Sequence, residues 1–201
     1  ALDRVGCDTL VLGDATARFT VEGVEVDLGG IAKGFAIDRA VQEIEAHGGG
    51  GALVDIGGDM RLMGRRADGS RWKVRVRTPP RIELGKAVYL KVSNRAIATS
   101  GDYAQYYRVG GRRYSHIVDP RTGRPVTRVP SCTVIARTAT MADGLATAIS
   151  VLGPEEGLQV VKKVDGAECL IMVQQDEGVR LVASDGFSDY RYYPGEEDDT
   201  E

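Results

Sequence analysis

Asp143 and Thr147 stand four residues apart in Ala142-Asp-Gly-Leu-Ala-Thr-Ala148. On a helix that spacing sends a carboxylate and a hydroxyl out from the same side. With a backbone carbonyl supplied from elsewhere they form a hard oxygen site, which suits magnesium and leaves positions for water and phosphate oxygens. The structural alternative is an exposed aspartate favoured by the helix dipole, with Thr147 bonding back to the preceding turn.

A second stretch has chemistry of its own: Val26-Asp-Leu-Gly-Gly-Ile-Ala-Lys-Gly-Phe-Ala-Ile-Asp38. Val24 and Val26 alternate with Glu25 and Asp27, which predicts a strand. Gly29 and Gly30 allow a tight turn and a close backbone approach to a ligand. Ile37, Ala40, Val41 and Ile44 then predict an amphipathic helix, stopped by His47 and the glycines after it. Free amides at such a helix start suit phosphate, and Lys33 adds a full positive charge. The spacings of dinucleotide and P-loop motifs are both absent, so the pair of glycines alone is equally a βα turn with a surface lysine.

His116 leads into the rigid turn Asp119-Pro-Arg-Thr-Gly123, where a general base could be held at a fixed distance from a substrate; a strand-end histidine satisfied by that turn is the alternative. His47, at a helix C-terminus, reads as a cap. Thr99-Ser100-Gly101-Asp102 places hydroxyls at a strand end. Tyr103, Tyr106 and Tyr107 read as sheet packing rather than a platform for bases.

The elements that must position these groups are mostly strands. Short strands are expected at Thr9–Leu12, Ala17–Val21, Ala52–Ile56, Trp72–Arg77, Ala87–Val92 and Ser131–Ala136, and a closing pair at Glu168–Val173 and Val179–Ala183. Gly110-Gly111 predicts a hairpin between Tyr103–Val109 and Arg112–Val118. Gly57-Gly58-Asp59 is a second strand-then-glycine break, either a structural turn or a second approach to the same ligand. A helix over Ala139–Leu152, with Met141, Leu145, Ala148, Ile149 and Leu152 as its apolar stripe, is closed by Gly153-Pro154 and followed by another over Glu155–Val164. Many strands and few crossover helices predict an α+β fold with a mixed, mostly antiparallel sheet and packed helices. Residues 1–190 read as one domain and 191–201 as an acidic tail expected to be disordered.

The chain has 201 residues, and its net charge of −3 gives no field for nucleic acid. The run Arg65, Arg66, Arg71, Lys73, Arg75 and Arg77 reads as a solvated strand face. No apolar run reaches membrane-spanning length. Cys7, Cys132 and Cys169 form no CxxC pair and are expected to be buried free thiols.

Taken in order, Asp-Leu-Gly-Gly-Ile-Ala-Lys-Gly, Ile-Ala-Thr-Ser-Gly-Asp-Tyr, His-Ile-Val-Asp-Pro-Arg-Thr-Gly-Arg-Pro and Ala-Asp-Gly-Leu-Ala-Thr-Ala resemble the ApbE family of FAD:protein FMN transferases. The resemblance implies the family's α+β fold and magnesium-dependent transfer of FMN from FAD to a threonine or serine hydroxyl of an acceptor protein, with release of AMP. It implies that Asp27, Lys33 and the Ile117 neighbourhood contact FAD, and that the Gly30 carbonyl, Asp143 and Thr147 hold magnesium. His116 is then the candidate base toward the acceptor hydroxyl. The motifs correspond to the C-terminal portion of the family, whose members carry a further N-terminal part. The resemblance implies a periplasmic or membrane-anchored lipoprotein, with any membrane tether in that N-terminal part. FAD hydrolysis to FMN and AMP, with water as acceptor, and a catalytically incomplete flavin-binding module are the alternatives.

Overall fold

The structure is a computed structural model and describes residues 2–80, 82, 87–101, 106–176 and 178–195. The expectations for Asp102, Tyr103 and the acidic residues 196–201 lie outside these. A small hairpin of β1 (Leu10–Leu12) and β2 (Ala17–Phe19) precedes α1 (Ala32–Ala46). After α1 come β3 (Gly51–Ile56), β4 (Asp59–Gly64), β5 (Trp72–Arg75), β6 (Tyr89–Val92) and β7 (Arg95–Gly101). Two further hairpins follow, β8 (Tyr106–Val109) with β9 (Arg112–Ser115), and β10 (Val118–Asp119) with β11 (Arg124–Pro125). The chain then forms β12 (Ser131–Ala136), α2 (Ala139–Val161), β13 (Glu168–Gln174), β14 (Val179–Ala183), a 3-10 turn at Asp185–Tyr190 and β15 (Arg191–Tyr192).

Six strands make the main sheet in the order β14-β13-β12-β7-β4-β3, and every neighbouring pair is antiparallel. The expected α+β class therefore holds. One face of the sheet carries the helices over a core that includes Ala98, Cys132, Val134, Cys169 and Ile171. The other face, with Ile97, Ile135 and Leu170, is covered by the small sheet β15-β6-β5 and by Phe187. β12 lies between both layers and is buried along its whole length, which explains its unbroken run of small and apolar residues.

α2 keeps part of the expected stripe, with Ile149 buried and Leu145 packed against the same core. Its sheet-facing residues are Ala139, Ala142, Ala146 and Ile149, spaced at i, i+3, i+7 and i+10, whereas Met141 is exposed. Alanines at three of these four positions let the helix sit close to the sheet. Asp143 consequently falls within the buried face rather than beside it. Gly153 (φ 84°, ψ −179°) breaks the helical geometry within α2, at the predicted boundary between two helices, and the second part ends at Val161 rather than Val164.

Three other expectations are corrected. Residues 24–28 form no strand, and Val26 is exposed; alternation makes a strand only where a neighbouring edge accepts it. Tyr106 and Tyr107 are exposed on a two-stranded hairpin instead of packing into a sheet. Cys132 and Cys169 are buried as expected, but Cys7 is exposed, because residues 2–28 contribute no buried side chain. No helix of the described residues is long and apolar enough to cross a membrane.

Candidate metal and phosphate site

The site begins with the turn that leads into α1. The Asp27 carboxylate accepts from the backbone N–H of Gly29, and Ile31 and Ala32 donate to the Leu28 carbonyl. These bonds fix Gly30 against α2. A Cβ on Gly30 would lie 3.2 Å from Cγ2 and 3.4 Å from Oγ1 of Thr147. The early glycine turn and the late Asp/Thr helix therefore meet, as the shared site requires.

One turn further along α1, the Gly34 backbone N–H donates to Oδ2 of Asp143 at 3.0 Å. Gly34 has no room for a side chain, since a Cβ there would lie 2.3 Å from the Ala139 carbonyl oxygen. The two helices touch backbone to backbone at this point. Asp143 is only 2% exposed, so the alternative of a surface aspartate favoured by a helix dipole is excluded. Burial pushes its carboxyl above the usual range; the Gly34 N–H opposes this, the nearby Asp59 adds to it, and Lys33 opposes it.

Lys33 donates to Oδ2 of Asp59. Asp59, at the start of β4, is 2% exposed, and its other oxygen accepts from the Thr99 backbone N–H at 3.0 Å. The turn before it, Gly57 and Gly58 at φ 67° and 100°, runs beside the Lys33 stem, with a Gly57 Cβ position 3.9 Å from Cδ of Lys33. On the neighbouring strand, Ser100 Oγ is 3.1 Å from Thr147 Oγ1. The structure thus brings Gly30, Lys33, Asp143 and Thr147 together, with Asp59 and Ser100 as supports.

Asp38 holds the two helices in register. Its oxygens accept from Ala139 N–H and Thr140 N–H, each at 2.8 Å, and from the Thr140 hydroxyl at 2.6 Å. These are otherwise orphaned donors of the first turn of α2. In the sequence Asp38 and Asp59 stand only at the ends of the stretches Val26–Asp38 and Gly57-Gly58-Asp59. Their partners are far away in the chain, and no spacing rule links them.

His116 and Ile117 come from a separate segment between β9 and β10. Ile117 is 8% exposed; its N–H donates to Ser115 Oγ and its carbonyl accepts from Val126 N–H. The His116 side chain is exposed. The turn after it is rigid: the Asp119 carbonyl accepts from Thr122 and Gly123 N–H, and Arg121 holds the Asp119 carboxyl below its usual range. His47 caps α1, its Nδ1 lying 2.8 Å from the Glu43 carbonyl.

The donors at the first site fit a small hard cation: one buried carboxylate with a single backbone N–H on one oxygen, a hydroxyl, and the backbone of a residue pressed against that hydroxyl. A buried carboxylate in this setting is stabilised by a positive partner.

Comparison with known proteins places this arrangement in context. The profile of the ApbE family matches residues 1–171. A FAD:protein FMN transferase of Vibrio cholerae serotype O1 is 36% identical over 186 residues, covering 92% of this chain and 55% of that protein. The solved flavin transferase ApbE from Vibrio cholerae superposes with a TM-score of 0.82 at 35% identity, over 94% of this chain and 60% of that one. An ApbE protein from Thermotoga maritima gives a TM-score of 0.82 at 36% identity, over 96% and 62% of the two chains. The chain spans about half the length of the curated relatives it matches.

Proposed function

The chain belongs to the ApbE family, and from that premise we propose that it carries the metal and phosphate half of a FAD:protein FMN transferase. The reaction is magnesium-dependent transfer of FMN from FAD to a threonine or serine hydroxyl of an acceptor protein, with AMP released. The observation that supports this reading most strongly is the meeting of Gly30 with Thr147 and of Gly34 with Asp143 across two helices.

In this reading the Gly30 carbonyl, Asp143 and Thr147 hold magnesium, and Asp27, Lys33 and the Ile117 neighbourhood bind FAD. Magnesium, when bound, neutralises charge on the phosphate oxygens. The acceptor oxygen forms a bond to the flavin-side phosphorus while the bond from that phosphorus to the bridging oxygen breaks. AMP leaves with the bridging oxygen and its electron pair, and the acceptor proton passes to the His116 imidazole. Little covalent chemistry is asked of the protein, so positioning and electrostatics supply most of the acceleration. Asp59 keeps the Lys33 ammonium extended along the glycine turn before substrate arrives. The backbone contact at Gly34 fixes the depth of Asp143.

The test is mass spectrometry after incubation with FAD, magnesium and a protein carrying a threonine acceptor. An FMN adduct on the acceptor is the expected result. FMN and AMP without an adduct would make the chain a FAD hydrolase. Flavin fluorescence quenching without turnover would make it a binding module.

A further inference from the structure

The hydroxyls of Ser100 and Thr147 face each other at 3.1 Å, and their chemistry constrains which one donates. A threonine hydroxyl has one proton and two lone pairs. If Thr147 Oγ1 serves a cation, its proton must be directed away from that cation, toward an acceptor. Ser100 Oγ, 3.1 Å away, is placed to be that acceptor. We propose that Ser100 is a positioning residue: it accepts the Thr147 proton and so leaves the Thr147 lone pairs free for the divalent cation. The inference rests on the metal reading given under Proposed function.

Two features favour a fixed role for Ser100. Its strand, β7, pairs with β12 at Ser100 itself, opposite Cys132, and with β4 further back, at Arg95–Ile97, so the strand carrying the hydroxyl is anchored within the main sheet. The adjacent residue, Thr99, donates its N–H to Asp59, which holds Lys33. Consecutive residues of one strand therefore set the lysine that meets phosphate and the hydroxyl that meets the metal. Gly30, packed 3.2 Å (at its Cβ position) from Thr147 Cγ2, restricts the same side chain from the opposite side.

Outer partners of metal ligands orient them and typically account for roughly 10- to 100-fold in metal affinity. The test is manganese binding to the full chain without flavin, followed by electron paramagnetic resonance, with melting temperature recorded for each variant. Ser100→Ala is expected to weaken manganese binding by about 10- to 100-fold with an unchanged melting temperature. Ser100→Cys, similar in shape but a weak acceptor, is expected to do the same, and Ser100→Thr to retain affinity. In a Thr147→Ala background, Ser100→Ala is expected to cost nothing more, because the effect runs through Thr147. Unchanged affinity in Ser100→Ala, or an equal loss with and without Thr147, would overturn the inference while leaving the metal site intact. If Asp143→Ala binds manganese as the wild type does, the cation site itself is misplaced and both readings fall.

Discussion

Asp38 Oδ2 accepts from both the backbone N–H and the hydroxyl of Thr140, 102 residues further along the chain. With Ala139 N–H on its other oxygen, one carboxylate of α1 closes the first turn of α2. Loss of a capping side chain costs about 0.5–2 kcal/mol, and this one also fixes the helix pair that carries the site. Asp38→Ala is expected to lower stability in urea by about 2 kcal/mol, at the upper end of that range. A midpoint unchanged from wild type would contradict the clamp.

Gly34→Ala runs against propensity. In an isolated helix alanine is better than glycine by about 1 kcal/mol. Here the added Cβ would press on the Ala139 backbone at 2.3 Å, and backbone cannot rotate out of the way. The expected outcome is a net loss of about 1–3 kcal/mol and weaker cation binding, since the Asp143 hydrogen bond lengthens. Denaturant unfolding and metal titration check the two halves separately.

Lys33→Met leaves Asp59 buried without its cation. Removing one partner of a buried pair costs about 3–5 kcal/mol, but the Lys33 side chain is 41% exposed and solvent screening reduces this to nearer ~1 kcal/mol. The double variant Lys33→Met/Asp59→Asn is expected to regain stability and still bind FAD weakly. Recovery of FAD binding in the double variant would remove Lys33 from the phosphate site.

Asp143 makes a pH prediction. Its carboxyl holds a proton to higher pH in the fold than in the unfolded chain, mainly through burial. Between the two values the native state binds more protons, so metal-free stability falls as pH rises through that window. Asp143→Asn is expected to abolish this slope, raise the melting temperature at neutral pH without metal, and weaken divalent binding beyond the roughly 100-fold typical of an outer partner. Thermal melts across pH, with and without magnesium, measure all three.

His116→Ala is expected to slow FMN transfer about 100-fold or more, in keeping with the contribution of a positioned general base, with little change in FAD affinity. Equal losses in transfer and binding would make His116 a binding residue instead.

What the sequence made legible was local. The i, i+4 spacing of Asp143 and Thr147, the glycine entry to α1, the Gly110-Gly111 hairpin and the break at Gly153 follow from short-range rules and are found in place. Asp38, Asp59 and the role of Ser100 were hidden because each is defined by a partner that only folding brings near. The strand expected at residues 24–26 failed for the same reason in reverse: its alternation is genuine, but nothing pairs with it among the described residues. On α2, Ala139, Ala142 and Ala146 join Ile149 on the buried face while Met141 is exposed, because side-chain size, and not hydrophobicity alone, decides which face can approach a sheet closely.

The two-sided burial of β12 also bears on how fast the protein can assemble. Its pairing partners, β7 and β13, are delivered by chain before and after it, with hairpins on one side and α2 on the other. Contacts between remote segments must be closed before they are rewarded, which slows folding relative to a helical bundle built from local contacts. Substitutions at Val134, at the centre of that strand, should therefore be read in refolding kinetics as well as in equilibrium stability.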